Sequence, residues 1–166
     1  MKKKIKVCLI GAGRIGLFLE KDKKRLKPAT HFGMWLKERE VNLSAICDKN
    51  YKSYLFAKKL KKNIKYYSSV DKILKKEKPD IVSICTWKDS HFNITKECIK
   101  LGIKTIVLEK PLATSVLEGK KLISLTKKHK VKIIVNHRRR FDKEIISLKN
   151  KINNNIIGKI KKVSCN

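Results

Sequence analysis

Four groups of residues have the types and spacing to do chemistry. The first is Gly11-Ala12-Gly13-Arg14-Ile15-Gly16, a G-x-G-x-x-G run directly after the apolar stretch Ile5–Ile10. Strand, glycine turn and helix in that order make this motif a dinucleotide-binding fingerprint. Gly11 allows the tight turn, Gly13 lets a pyrophosphate reach the backbone, and Gly16 lets the following helix pack closely on the strand. The N–H groups at the helix start, around Arg14 and Ile15, then face the phosphates. A plain glycine-rich turn between a core strand and a core helix is the competing reading. The second group is Asp48, which ends the apolar stretch Val41–Cys47. A carboxylate there accepts hydrogen bonds from the adenosine ribose hydroxyls. It repels a 2′-phosphate and so favours NAD, although the adjacent Lys49 softens that preference and keeps NADP possible. An Asp at a strand–helix turn is also a common capping residue. The third and fourth groups are Thr86-Trp87-Lys88-Asp89-Ser90-His91 and Glu109-Lys110-Pro111-Leu112-Ala113. Each follows a further apolar run, at the carboxyl end of an expected parallel strand, where open α/β sheets bind ligands.

Elements to position these groups are legible in the hydrophobic pattern. Strands are expected at Ile5–Ile10, Val41–Cys47, Ile64–Tyr67, Ile81–Cys85, Thr105–Leu108 and Val131–Asn136. Helices are expected at Ile15–Arg25, Phe32–Glu40, Tyr51–Lys61, Val70–Lys76, Phe92–Leu101 and Ser115–Lys130. The strands are continuous Val/Ile/Cys blocks, as in strands buried on both faces. Strict alternation with helices implies a Rossmann-like, doubly wound α/β fold: a mostly parallel sheet with helices on both faces. From Gly16 to Asp48 is 32 positions, against the fingerprint's usual spacing of about 20. The charged stretch Leu19–Pro28 therefore reads as an insertion that extends or breaks the first helix, which resumes near His31. Asn150–Asn155 reads as a polar linker and Ile160–Cys165 as a strand. The expected domains are residues 1–150, binding the dinucleotide, and 151–166, a linker and the first strand of a truncated second domain.

Together the four groups resemble the N-terminal half of the Gfo/Idh/MocA oxidoreductases. Glu109-Lys110-Pro111 is the specific part of that resemblance. Asn136-His137-Arg138-Arg139-Arg140-Phe141 is similar to the family's arginine–aromatic stretch, and Ile157-Gly158-Lys159-Ile160 to the entry into its second domain. The resemblance implies reversible hydride transfer between NAD(P) and a carbinol carbon of a sugar or polyol. Lys110 would assist proton transfer, with burial lowering its basicity. Glu109 would orient Lys110 or contact the nicotinamide ribose. Pro111 would fix the turn, its peptide bond often cis in the family. Thr86 and Trp87 would line the dinucleotide groove. His91 matches a family histidine, with catalytic, cofactor-binding and purely structural roles all open. Arg140 would contact cofactor or substrate, although three consecutive arginines are also an ordinary solvated cluster. His31, His129 and His137 look peripheral or structural, with His137 able to approach the site. The family's second domain, which carries the substrate wall and usually the dimer interface, has no counterpart in 166 residues. The chain is thus expected to be a fragment, to be completed by a partner chain, or to bind cofactor without turnover; at full length a homo-oligomer is expected.

Composition narrows the remaining classes. Lys and Arg number 43 against 14 Asp and Glu, a formal net charge of +29. A basic nucleic-acid-binding protein is therefore one alternative, and a non-catalytic dinucleotide-sensing or partner-binding module another. The first is disfavoured because the excess is mostly Lys, is spread over nearly every element and lacks a basic–aromatic platform. Five cysteines, none in a C-x-x-C pair or a zinc-like spacing with His, point to a reducing compartment. No run approaches the ~20 apolar residues of a membrane span. A cytoplasmic protein without metal, catalytic serine triad or paired carboxylates is expected.

Overall fold

The computed structural model describes residues 3–164. Six strands form one parallel sheet: β1 (Ile5–Ile10), β2 (Val41–Cys47), β3 (Lys65–Tyr67), β4 (Ile81–Ile84), β5 (Thr105–Glu109) and β6 (Lys132–Asn136). Their spatial order is β3-β2-β1-β4-β5-β6. The order reverses between β1 and β4, which is the switch point where such sheets bind ligands. The helices are α1 (His31–Lys37), α2 (Tyr51–Leu60), α3 (Val70–Glu77), α4 (His91–Lys100), α5 (Val116–His129) and α6 (Lys143–Asn153).

Successive residues of a strand face opposite ways, and β1 shows why both of its faces had to be apolar. Cys8 and Ile10 enter one core with Ile73 and Leu74 of α3 and Ile94, Cys98 and Ile99 of α4. Val7 and Leu9 enter the other with Phe32 of α1 and Ala57 of α2. Phe32 is fully buried, worth about 1.5–3 kcal/mol relative to exposure. The expected α/β class and all six strands of the sheet are present.

The helix expected over Ile15–Arg25 is not. The chain makes a single turn after the glycine loop, with Leu17 N–H donating to Gly13 O at 2.9 Å, and then a short 3-10 turn at Phe18–Lys21. It loops out and rejoins at His31. There His31 N–H donates to Ile15 O at 3.3 Å and Phe32 N–H to Gly16 O at 2.9 Å. An uninterrupted helix would span four positions with such a bond. Gly16 and Phe32 are sixteen apart, so the helix skips a detour of twelve residues. The charged run breaks the helix because it has no apolar stripe to bury. Its own backbone is satisfied instead by Lys27, whose Nζ donates to the carbonyls of Leu19, Glu20 and Asp22 at 3.2, 2.7 and 2.9 Å.

The chain divides into two compact units, the first ending at Asn136 and the second beginning at His137. The second holds a 3-10 turn at Arg138–Phe141 and α6. Two expectations change here. The presumed linker from Asn150 is helical through Asn153, continuing an apolar stripe of Ile145, Ile146, Leu148 and Ile152. Residues 160–164 form no strand; Cys165, the last residue of the expected one, lies outside the described residues.

Candidate functional site

The carboxyl ends of β1, β2, β4 and β5 gather eleven of the sequence-predicted residues: Gly11, Gly13, Arg14, Ile15, Gly16, Asp48, Thr86, Trp87, His91, Glu109 and Lys110. The glycine loop is held between its neighbours. Gly11 N–H donates to Cys47 O at 2.8 Å and Cys85 N–H to Ile10 O at 2.7 Å. Gly11 has φ +85°, and a Cβ there would lie 2.6 Å from Cys85 C and Thr86 N. A Cβ on Gly16 would collide with the Gly11 carbonyl oxygen. A Cβ on Gly13 would meet no heavy atom within 4 Å. Two glycines thus serve packing, while the third borders open space. That is the arrangement a pyrophosphate approaching the backbone at Gly13 requires, so the loop fits a dinucleotide. Arg14 and Ile15 are exposed beside it.

Asp48 follows β2 and is half-buried. Its Oδ1 accepts from Asn50 N–H at 2.8 Å, and its carbonyl accepts from Tyr66 Oη at 2.8 Å. The cap of α2 is Asn50, whose Oδ1 accepts from Lys52 N–H at 3.0 Å; Asp48 closes the turn just before it, which holds its carboxylate at the carboxyl end of β2. Thr86 is half-buried and its Oγ1 accepts from Ser90 Oγ at 2.7 Å. Trp87 is 86% exposed, an uncovered apolar surface on the loop after β4.

His91 is 1% exposed. Its Nδ1 lies 2.7 Å from Pro111 O and its Nε2 3.0 Å from Thr86 O. Both ring nitrogens face main-chain carbonyls, and the one that carries the proton donates, so the buried ring sits between the β4 loop and the β5 loop. Of the roles left open for it, the structural one matches this geometry, since no nitrogen is left to exchange a proton with a bound molecule. The Lys110–Pro111 peptide bond is cis. Lys110 itself is exposed. The burial expected for it is not present among the described residues; it is the first residue past β5.

Glu109 is 8% exposed and fully engaged. Oε1 accepts from His31 Nε2 at 2.9 Å and from Asn136 Nδ2 at 2.5 Å; Oε2 accepts from Lys110 N–H at 3.2 Å. Burial pushes its carboxyl up, but the hydrogen bonds from His31 and Asn136 outweigh that and hold it below the ordinary carboxylate value. Glu109 thus secures the Lys110 main chain. Sequence reasoning left His31 as peripheral or structural, of which the second holds, and gave Asn136 no role. Their partners stand too far along the chain for any local spacing to show, and the only signal was that His31 opens a helix while Asn136 ends a strand. His31 Nδ1 is also 2.8 Å from Ser83 Oγ. Ser–His–Glu is the order of a hydrolase relay, but Ser83 is fully buried, so no carbonyl substrate reaches its hydroxyl.

Arg140 is exposed and belongs to the second unit, as do His137 and the 73% exposed Phe141. Among the described residues no group of three His, Cys, Asp or Glu is placed to hold a metal, and no helix is long and apolar enough to cross a membrane. Cys85, beside the glycine loop, has its thiol pushed up by burial, and burial likewise pushes that of Cys47 up to about 12; neither is a nucleophile at neutral pH.

Comparison with known proteins shows the fold and the family. Myo-inositol 2-dehydrogenase of Thermotoga maritima is 26% identical over 155 residues, which are 93% of this chain and 42% of the relative. The structure of myo-inositol 2-dehydrogenase from Lactobacillus plantarum superposes with TM-score 0.81 at 23% identity, over 95% of this chain and 43% of that one. The WlbA dehydrogenase of Bordetella pertussis, solved with NADH and UDP-GlcNAcA, gives 0.78 at 24% identity, over 95% and 44%. The chain spans less than half the length of these relatives. The model of the GFO_IDH_MocA oxidoreductase family, NAD-binding Rossmann fold, matches residues 5–137, and the chain belongs to that family.

Proposed function

We propose that this chain is the cofactor-binding half of an NAD(P)-dependent dehydrogenase that transfers hydride between nicotinamide and a carbinol carbon of a sugar or polyol. The observation that carries it is the pinned Glu109-Lys110-Pro111 turn, two strands from the glycine loop, about 10 Å at the usual strand spacing. NAD, when bound, supplies the hydride acceptor or donor. The chain's residues do the rest. The open backbone at Gly13 takes the pyrophosphate, with Arg14 and Ile15 at its side. Asp48 takes the adenosine ribose. Thr86 and Trp87 border the groove. Lys110 hydrogen-bonds the alcohol oxygen and takes or returns its proton, while Glu109 and His91 position the turn that bears it. Arg140 is a further candidate contact for cofactor or substrate. The remaining length of the relatives would supply the substrate wall that covers Lys110 and excludes water, from the same polypeptide or a partner copy.

The exposure of Lys110 favours a second reading, a dinucleotide-binding module without turnover. The experiment is a titration with NADH and NADPH, followed by nicotinamide fluorescence at low and high salt, then a turnover assay with sugars and polyols. Saturable NADH binding that survives salt supports a dinucleotide site, and turnover separates the first reading from the second. Binding that vanishes with salt, as phosphate-backbone attraction to a +29 surface would, refutes both.

A further inference from the structure

His31 joins the start of α1 to three strands. Its Nδ1 meets Ser83 of β4 at 2.8 Å, its Nε2 meets Glu109 at the end of β5 at 2.9 Å, and Asn136 at the end of β6 donates to the same carboxylate oxygen. His31 and Glu109 are 4% and 8% exposed, and Ser83 is fully buried. The partners assign the protons. A carboxylate only accepts, so Nε2 carries a proton and donates to Oε1, which leaves Nδ1 to face the Ser83 hydroxyl. The other oxygen, Oε2, holds Lys110 N–H at 3.2 Å. Any turn of the carboxylate about its axis moves both oxygens together. The imidazole and the Lys110 main chain are thus opposite ends of one rigid group.

His31 stands immediately after the twelve-residue detour, and the detour is closed by Glu20. Glu20 Oε2 accepts from Thr30 Oγ1 at 2.6 Å and from Ala29 N–H at 3.1 Å. Thr30 Oγ1 in turn accepts from Gly33 N–H at 3.0 Å, capping α1. A side chain at position 33 would run into the Glu20 carboxylate. Glu20 therefore fixes Thr30, the residue next to His31.

We infer that His31 is a positioning residue for Lys110, acting through Glu109, and that the Glu20 clamp keeps it in register across the break in the first helix. Its catalytic meaning rests on the dehydrogenase reading above. The test does not: it reads amide exchange by NMR on the 15N-labelled chain, with His31→Leu, His31→Gln and Glu20→Ala. In H31L the Lys110 amide exchanges about tenfold or more faster, as loss of a charge-assisted buried bond implies. H31Q, whose carboxamide donates to Oε1, recovers most of the protection, and E20A falls between. The amides of Leu9 and Ile46 stay within about twofold, because they belong to the sheet core and not to this group. An unchanged Lys110 amide in H31L, equal effects of H31L and H31Q, or a common acceleration of Lys110, Leu9 and Ile46 overturns the inference. Should H31L not fold, the imidazole nitrogens of the unmodified chain decide: a proton on Nε2 supports the assignment, and an Nε2 without one overturns it. A failed NADH titration would remove the dehydrogenase reading and leave the Lys110 result standing.

Discussion

Replacing Gly13 and Gly11 by alanine, one at a time, separates cofactor seating from folding. At Gly13 the new methyl meets nothing within 4 Å, and its φ is not in the left-handed region. Such a Gly→Ala change leaves stability unaltered or raises it by about 0.4–1 kcal/mol, through the unfolded chain. At Gly11 the methyl must be accommodated at φ +85° and 2.6 Å from Cys85 C and Thr86 N. Left-handed strain costs about 1–3 kcal/mol, and forcing the β4 end away costs about another 1–3 kcal/mol. The sum is a large share of the 5–15 kcal/mol typical of a domain, or roughly 5–20 °C in Tm at this chain length. NADH affinity behaves in reverse. G13A places its methyl where the pyrophosphate must approach and weakens binding at least tenfold, about 1.4 kcal/mol. Thermal unfolding by circular dichroism and an NADH fluorescence titration of the same samples make the assay. The reasoning is refuted if G13A binds NADH as tightly as the unmodified chain, or if G13A melts as early as G11A.

Three further outcomes are expected. Glu77, 2% exposed, accepts from Tyr67 Oη at 2.6 Å and Lys65 Nζ at 3.0 Å; burial pushes its carboxyl up, but these bonds and the charges of Lys65 and Lys6 bring it below 4.5. A lowered native pKa gives stability that is complete above the unfolded value and lost as pH falls through the native one. Tm should therefore fall as the pH drops below about 4.5, and Glu77→Gln should flatten that limb while costing about 1–3 kcal/mol near neutrality. Burial raises the thiol of Cys8 to about 11 and those of Cys47 and Cys98 to about 12, with Cys85 raised too; peptide mapping after iodoacetamide at pH 8 should find these four unmodified in the native chain and all modified in denaturant. Lys27→Ala removes the donor to three carbonyls of the detour, and limited trypsin digestion should then cut faster after Lys23 and Lys24, while cleavage within α2 stays slow.

The sheet was legible because each strand is buried on both faces and must read as an unbroken apolar block. The two packing glycines were legible because their roles are local to a strand end. The first helix was misread because helical order there is carried by bonds from His31 and Phe32 back to Ile15 and Gly16, across a segment whose own pattern predicts nothing. Helix α6 was hidden by its asparagine-rich end, although Ile145, Ile146, Leu148 and Ile152 carry a helical stripe. The His31 network was illegible in principle from spacing, since His31 stands 52, 78 and 105 positions from Ser83, Glu109 and Asn136. Lys110 was singled out by resemblance, but its exposure depends on what covers it, which a residue type does not encode.

The detour after Phe18 leaves and re-enters the first helix at points that an uninterrupted helix would make adjacent. Its two ends are thus joined through space by the helix ladder itself, and each doubling of the loop's length adds only about 0.6 kcal/mol of closure cost. The segment from Leu19 to Thr30 is in this sense a removable module. Excising it would bring His31 directly behind Phe18 and exchange the Glu20 clamp for a continuous helix ladder back to Ile15 and Gly16. The same two attachment points can carry a longer loop, a reporter peptide or a binding tag beside the cofactor groove, which makes this the natural place to lengthen or instrument the domain without touching its sheet.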